Sequence, residues 1–349
     1  GLGASLSEVA ESLRRLSLHG HVLIAEEGRV RSRMAEMARA VRYSKQRFHK
    51  DDAGDRPYLV RGLKVELRNR EKPAYESPLR DAVAAVEAKH GQGSEPTAAF
   101  GMVAEMLRRA WNAPSPNLAG FQDRAFTAIF DAWVGSGDER FVIAADTGSG
   151  KTEAACLPII AGATLDLLRS IGGTRAILVY PRVRLAANQA QRLARYLAAL
   201  RNVDGAPRLT LGLQNGAVPE GWHYADPETW EPTGRTGEYH FPFFMCPEPA
   251  CGAPLAIAAG INGAPDTLQC KGCGWEFDGW IGTKQALRAT PPTLFLPTTE
   301  SLHQWLNDSR YGALFGDGGS GPRCILADEI HLYTHIQGAQ IGYGLRRLL

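Results

Sequence analysis

A chain of 349 residues is long enough for about two domains, and a hydrophobic share of 44% supplies a sizeable core, which excludes a disordered or low-complexity protein. A formal charge of +2 selects no partner, so charge has to be read locally. Neither a signal peptide nor a membrane-spanning segment is expected in these residues, which hold no long uninterrupted apolar run.

In chain order, apolar residues at helical spacing predict an amphipathic helix over 2–16, with Ser5 or Ser7 as its cap, and then a short strand over 21–24. From Arg29 to Lys72, fourteen Lys and Arg stand against six Asp and Glu, with Tyr43, Phe48 and Tyr58 interleaved. Such a stripe suits a nucleic-acid backbone and its bases, and equally a solvated docking face; both readings stand. Residues 51–55 (DDAGD) read as a turn, and 65–70 alternate like an edge strand. Helices are predicted over 77–89 and 98–111, parted by a loop at 90–96. The breaker-rich NAPSPN at 112–117 predicts a domain boundary near 115. A mainly helical, basic domain (1–115) precedes it and an α/β domain (116–349) follows.

The second domain opens on its most informative stretch. Phe141–Ala145 is an apolar run that predicts a buried strand; Thr147, Gly148, Ser149, Gly150, Lys151 and Thr152 follow, and then a helix over 153–168, interrupted at Pro158. Strand, glycine-rich turn and helix together are the context of a phosphate-binding loop. Glycines let successive N–H groups point at one anion, and the helix N-terminus adds partial positive charge. Lys151 would reach the β- and γ-phosphates, and Thr152 would offer its hydroxyl to Mg²⁺.

Downstream, strands alternate with helices: strand 176–180, helix 185–201, strand 208–213 ending in the Gln214-Asn215-Gly216 turn, strand 294–297 and helix 302–306. The glycine-rich 316–322 reads as a flexible surface connection, and 324–327 as a last strand. This is the pattern of a parallel sheet with helices on both faces. The last strand delivers Asp328 and Glu329 at its C-terminal end, where open α/β sheets bind their ligands. Asp328 would hold Mg²⁺, directly or through water, and Glu329 would orient and polarise an attacking water.

Of six cysteines, four lie between 246 and 273, while Cys156 and Cys324 stand alone in apolar surroundings. That usage indicates a metal site in a reducing, cytoplasmic compartment with two core cysteines. Cys246 and Cys251, then Cys270 and Cys273, form two pairs eighteen residues apart, with Pro247, Pro249, Gly252, Gly272 and Gly274 as turn formers. Four soft thiolates at this spacing match a closed structural Zn²⁺ site, with an iron–sulfur cluster as the alternative. His240 is surplus to such a site. The flanking Phe241, Phe243, Phe244, Trp275, Phe277 and Trp280 read as a mini-core around the metal. The module, roughly 217–290, is expected as an insertion in the α/β domain.

The form AxTGSGKT, with Ala145 where the P-loop pattern has its first glycine, resembles motif I of superfamily 2 helicases, and Asp328-Glu329-Ile330-His331 resembles the DExH form of their motif II. From Gln122 to His331 the chain resembles the first RecA-like lobe of those proteins. The resemblance implies a P-loop RecA-like sheet, ATP and Mg²⁺ as cofactors, a nucleic-acid partner and a catalytic set of Lys151, Asp328, Glu329 and His331, with His331 linking the nucleotide site to a partner lobe. It implies that Gln122 reads the adenine edge. It also implies nucleic-acid contacts at Arg182, Arg184 and Gln189 (motif Ia) and at Thr298 and Thr299 (motif Ib). Solvated arginines at a helix start and a simple N-cap are the alternatives. Nothing here resembles motifs III to VI, so the second lobe with its arginine finger is absent. A loss of about 10³-fold in hydrolysis is expected for the piece by itself, which reads as part of a longer protein.

Within the superfamily, the cysteine module, read as an inserted zinc ribbon, and the ending DEIHLYTHIQGAQIGYGLRRLL are similar to the large helicase subunit of bacterial DISARM anti-phage defence systems, which implies DNA as substrate and a partner protein of the same system. Two other classes fit the same motifs: an ATP-switch clamp on nucleic acid, and a zinc-based binding module with a vestigial nucleotide site. Intact Lys151, Thr152, Asp328 and Glu329 speak against the last.

Overall fold

The computed structural model describes residues 5–18, 21–24, 30–32, 35–36, 73–135, 139–146, 148–261, 263–333 and 335–348. Two compact units divide the chain, 1–71 and 72–349. In the first, the described residues form helix α1 (Leu6–Leu18) and an antiparallel pair, β1 (Val22–Ile24) with β2 (Val30–Ser32). Most of the basic stripe, its three aromatics, the DDAGD turn and the edge strand expected at 65–70 lie outside the described residues.

The second unit begins with β3 (Ser77–Pro78), α2 (Leu79–His90), α3 (Glu95–Ala110), β4 (Asn117–Leu118) and α4 (Gly120–Val134). It continues with α5 (Lys151–Leu168), β5 (Ala176–Val179), α6 (Val183–Arg201) and β6 (Leu211–Gln214). The cysteine module follows as β7 (Glu231–Pro232), β8 (Glu238–Met245), β9 (Pro254–Ala258), β10 (Asp266–Cys270) and β11 (Glu276–Ile281). The last elements are α7 (Lys284–Ala289), β12 (Leu294–Pro297), α8 (Thr299–Trp305), β13 (Cys324–Ala327) and α9 (His335–Leu348).

One nine-stranded sheet runs β13-β5-β12-β6-β11-β10-β9-β8-β7. The strands β13, β5, β12, β6 and β11 are parallel, and the rest extend them as an antiparallel meander. Strands buried on both faces need apolar residues at every position, and the two side-chain sets divide by the strand period. Ala176 and Leu178 of β5, Tyr180 just after it, and Leu294 and Leu296 of β12 enter a core with α2–α6; Ile177, Val179 and Phe295 enter a second core with α7, α8 and α9. The expected α/β class with helices on both faces is therefore present. No helix among the described residues is long and apolar enough to cross a membrane.

Several expectations change. The compact units part after Glu71 rather than near 115. The helices α2 and α3 bury Val86, Phe100, Val103 and Met106 in the same core as helix α5, so they belong to the packing of the nine-stranded sheet. The stretch after α3 is a tight turn: Asn112 sits at φ 49°, and Leu79 N–H donates to Pro116 O at 3.0 Å beside the β3–β4 pair. The cysteine module shares the main sheet, because β11 pairs in parallel with β6 through Trp280 and Leu211.

The run Phe141–Ala145 is not a strand; Phe141 is 42% exposed and Val142 91%. Beside β13, the outer strand, no further strand is paired among the described residues. An apolar run without a ladder partner has no means of satisfying its backbone in the core and stays at the surface. Helix α5 runs through Pro158 without a break, α8 starts at Thr299 and β6 at Leu211.

The loop 316–322 is tied down rather than loose. Arg175 and Asp166, 4% and 7% exposed, form a buried pair at 2.7 Å, and Arg175 Nη1 also donates to Gly321 O at 2.9 Å. Removing one partner of such a pair strands the other charge. Arg175→Ala is expected to cost about 3–5 kcal/mol and lower the melting temperature by roughly 10 °C, as measured by a reversible thermal melt. A change under about 2 °C would show that the pair contributes little.

Candidate nucleotide site and thiolate centre

The phosphate-loop geometry forms even though the strand before it does not. Gly148 and Gly150 adopt φ of 82° and 89°, left-handed values that glycine reaches at little cost. Ser149 closes the turn, its N–H and its Oγ both donating to Asp146 O, at 3.1 and 2.6 Å. Helix α5 begins at Lys151 and contains Thr152, so its first N–H groups, which have no intrahelical partner, face the loop. Thr147 lies outside the described residues.

Gln122 is buried, and its amide is engaged: Oε1 accepts from Ala119 N–H at 2.9 Å and Nε2 donates to Gly150 O at 3.0 Å. It thus starts α4 and fixes the loop, which leaves less of the amide for an adenine edge than the sequence implied. A Cβ added to Gly150 would overlap Gln122 Nε2 as well as strain the backbone. Gly150→Ala is therefore expected to destabilise by about 2 kcal/mol, with part regained in Gly150→Ala/Gln122→Ala. Chemical denaturation of the two variants checks this.

Tyr75 is a residue that sequence reasoning missed. It is 47% exposed, and its hydroxyl donates to Ser149 O at 3.4 Å. No local pattern marks it; only the fold brings it to the loop from 74 positions away.

Strand β13 ends at Ala327, and Asp328 and Glu329 follow directly at its C-terminal end, where the sequence expected them. Glu329 takes φ 51° and ψ 42°, a left-handed conformation uncommon outside glycine and of a kind found at functional sites. Its N–H donates to Asp328 Oδ1 at 2.9 Å, and its Oε2 meets His331 Nδ1 at 3.2 Å. Burial pushes the Asp328 carboxyl above its ordinary range and the neighbouring Glu329 charge adds to this, while the Glu329 N–H, Lys151 and Arg192 act against it. A carboxylate in that state gains from a divalent cation.

The candidate nucleic-acid residues separate. Arg182 and Arg184, at the start of α6, are exposed; Gln189 is buried. Thr298 Oγ1 donates to Ser301 Oγ at 3.1 Å, and Thr299 Oγ1 to Tyr333 Oη at 3.3 Å. Their N–H groups donate to Gln214 O and Tyr180 O, at 2.9 and 3.2 Å. Neither threonine keeps a donor for a phosphate in this arrangement. Thr298 holds the N-cap position of α8 without a side-chain cap bond.

The four cysteine sulfurs lie within 4.8 Å of one another, with Cys246–Cys273 and Cys251–Cys270 both at 3.5 Å. A tetrahedral ion at about 2.3 Å from each sulfur sets them about 3.8 Å apart, so the donor set fits Zn²⁺. Turns shape both pairs: Cys251 N–H donates to Glu248 O at 3.0 Å, Gly274 N–H to Cys270 O at 3.0 Å, and Gly252 and Gly274 take φ of 64° and 78°. His240 Nδ1 is hydrogen-bonded with Leu255 O at 2.9 Å, away from the sulfurs. Phe244, Phe277 and Trp280 are buried as a mini-core, Phe244 meeting Trp280 edge-on at 5.2 Å. Four thiolates leave no open position, so a metal here would be structural.

Comparison with known proteins bears on part of this chain. Residues 120–213 match the DEAD/DEAH box helicase family. Asp328 and Glu329 lie outside that match. Among solved structures, that of Mycobacterium smegmatis helicase Lhr bound to ssDNA and AMP-PNP is similar at 20% identity and a TM-score of 0.40, covering 71% of this chain and 22% of the other. No curated protein matches. The stretch 120–213, with the glycine-rich turn and its flanking helices, is thus similar to the DEAD/DEAH box helicase family, and it lies in an α/β fold with a mixed, mostly parallel sheet core.

Proposed function

We propose that the chain is the ATP-binding lobe of a superfamily 2 motor of the DExH type, which translocates on or unwinds nucleic acid, with DNA as its substrate. The observation that carries this reading is that a glycine turn with Gly148 and Gly150 in left-handed conformations leads into α5 at Lys151, while β13 delivers Asp328 and Glu329 just beyond its C-terminal end in the same unit. A lysine for the β- and γ-phosphates, a carboxylate for Mg²⁺ and a second carboxylate for water are the parts that nucleoside-triphosphate hydrolysis needs. Thr152 would complete the Mg²⁺ set, and His331 would hold Glu329. The exposed ring of Tyr75 offers the base a stacking surface beside the loop. Arg182 and Arg184 are the preferred backbone contacts on the nucleic acid, and the arginine that neutralises the γ-phosphate would come from a second lobe. Zn²⁺ in the thiolate centre would stiffen the meander. A defence role beside a partner protein of the DISARM type rests on the ribbon and on the ending from Asp328 to Leu349.

Steady-state ATPase of the full-length protein, with and without single-stranded DNA or RNA, tests the reading. Strong stimulation by DNA is expected. Stimulation by RNA only would keep the motor and remove the DNA and defence roles. Hydrolysis that neither strand alters would point to the ATP-switch clamp.

A further inference from the structure

The third residue of the P-loop helix is an acid. Glu153 follows Lys151 and Thr152 at the N-terminus of α5, where helix dipole and free N–H groups favour an anion. A bare carboxylate at this place would repel a bound polyphosphate.

The carboxylate is not bare. Its side chain is mostly buried and is met by two groups from one helix. Arg192 Nη1 lies 3.3 Å from Glu153 Oε1, and Tyr196 Oη donates to the same oxygen at 3.1 Å. Arg192 and Tyr196 are four residues apart on α6, so a single helical face presents both. Tyr196 is buried and is oriented in turn by Trp111, whose Nε1 donates to its hydroxyl at 3.3 Å from the end of α3. Burial, then the Glu153 charge, hold the Tyr196 phenol well above its ordinary range, so it remains a donor. Arg192 reaches further: burial disfavours the charge on Asp328, and Arg192 acts with Lys151 against that. Two cations thus serve two carboxylates around the loop, and only one of the cations is the motif lysine.

We propose that Arg192 is a positioning residue of the nucleotide site: it neutralises Glu153 and, with Tyr196, pins that carboxylate to α6, so that the head of the P-loop helix stays receptive to a nucleoside polyphosphate. This rests on reading the loop as a nucleotide site. In this arrangement α6 grips the P-loop helix from its middle turns, and α3 braces the grip through Trp111.

Direct binding of a fluorescent ATP analogue with Mg²⁺ to the full-length protein separates charge compensation from mere packing. Arg192→Ala is expected to weaken binding about five- to tenfold, the size of one uncompensated nearby charge. Arg192→Lys keeps the cation and should stay within about twofold of wild type. The decisive variant is Glu153→Gln/Arg192→Ala. With the stranded charge gone, affinity should return to within about twofold of wild type, whereas a packing role would make the pair at least as poor as Arg192→Ala. Should Arg192→Ala melt below the assay temperature, Arg192→Gln with and without Glu153→Gln makes the same comparison. Wild-type affinity in Arg192→Ala, or no recovery in the double variant, overturns the proposal. A wild-type protein that binds no analogue instead overturns the nucleotide reading itself, and the proposal falls with it.

Discussion

Glu329→Gln is expected to slow ATP hydrolysis by at least about 10²-fold, the lower range for loss of a positioned general base, while ATP affinity stays within about threefold of wild type. Gln keeps the shape of the side chain but cannot take a proton from water. The backbone supports a clean result: the left-handed turn at Glu329 is held by its N–H on Asp328 Oδ1 and continues into a 3₁₀ turn over Ile330–Leu332, none of which needs the Glu329 carboxylate. What the substitution removes is the charge facing His331 Nδ1. Single-turnover hydrolysis alongside equilibrium binding of a non-hydrolysable analogue separates the two quantities. Hydrolysis near the wild-type rate would place water activation on another group. Loss of binding and hydrolysis together would mean that Glu329 acts through structure.

The second large effect concerns metal. Stripping the thiolate centre with a strong chelator, or replacing Cys270 with Ser, is expected to abolish cooperative folding of residues 72–349. A structural zinc site supplies about 10–16 kcal/mol in small zinc modules, which is as large as the whole stability of an ordinary domain, about 5–15 kcal/mol. The effect spreads because the meander is not a separate knuckle. Cys270 ends β10, β10 pairs with β11, and β11 is the parallel partner of β6 in the main sheet. Glu238, salt-bridged to Lys271 at 2.7 Å, ties β8 to the same turn. Metal analysis should find about one zinc per chain, and the cooperative thermal transition seen without chelator should be absent after stripping. Visible absorption in place of zinc would identify an iron–sulfur cluster. An unchanged melt of metal-free protein would show that the four thiols suffice.

Much of this protein could be read along the chain, and the reason differs from feature to feature. The P-loop turn was legible because Gly148 and Gly150 are locally required by backbone sterics; their φ values of 82° and 89° need no distant partner. The parallel strands were legible because burial on both faces demands unbroken apolar runs such as Ala176–Val179 and Leu294–Pro297. The thiolate centre was legible because four cysteines on turn-forming residues are chemistry written into spacing.

Other features depend on which distant group arrives beside a residue, and periodicity does not carry that. The run Phe141–Ala145 is as apolar as a strand, yet it pairs with no strand among the described residues, and Phe141 and Val142 stay exposed. The amide of Gln122 is used by Ala119 and Gly150, and the hydroxyls of Thr298 and Thr299 by Ser301 and Tyr333, because hydrogen bonds are satisfied by the nearest partner in space. The helices over 79–110 looked like a separate domain by their breaker-rich flank, but they fill the core against α5. Thus the sequence by itself determined the phosphate loop, the order of the buried strands, the two carboxylates after β13 and the thiolate set, since each follows from local sterics, pattern or ligand chemistry. Only the tertiary structure decided the edge left open beside β13, the sheet shared with the cysteine module, Tyr75 at the loop and Arg192 on Glu153, since each is a pairing between segments far apart in the chain.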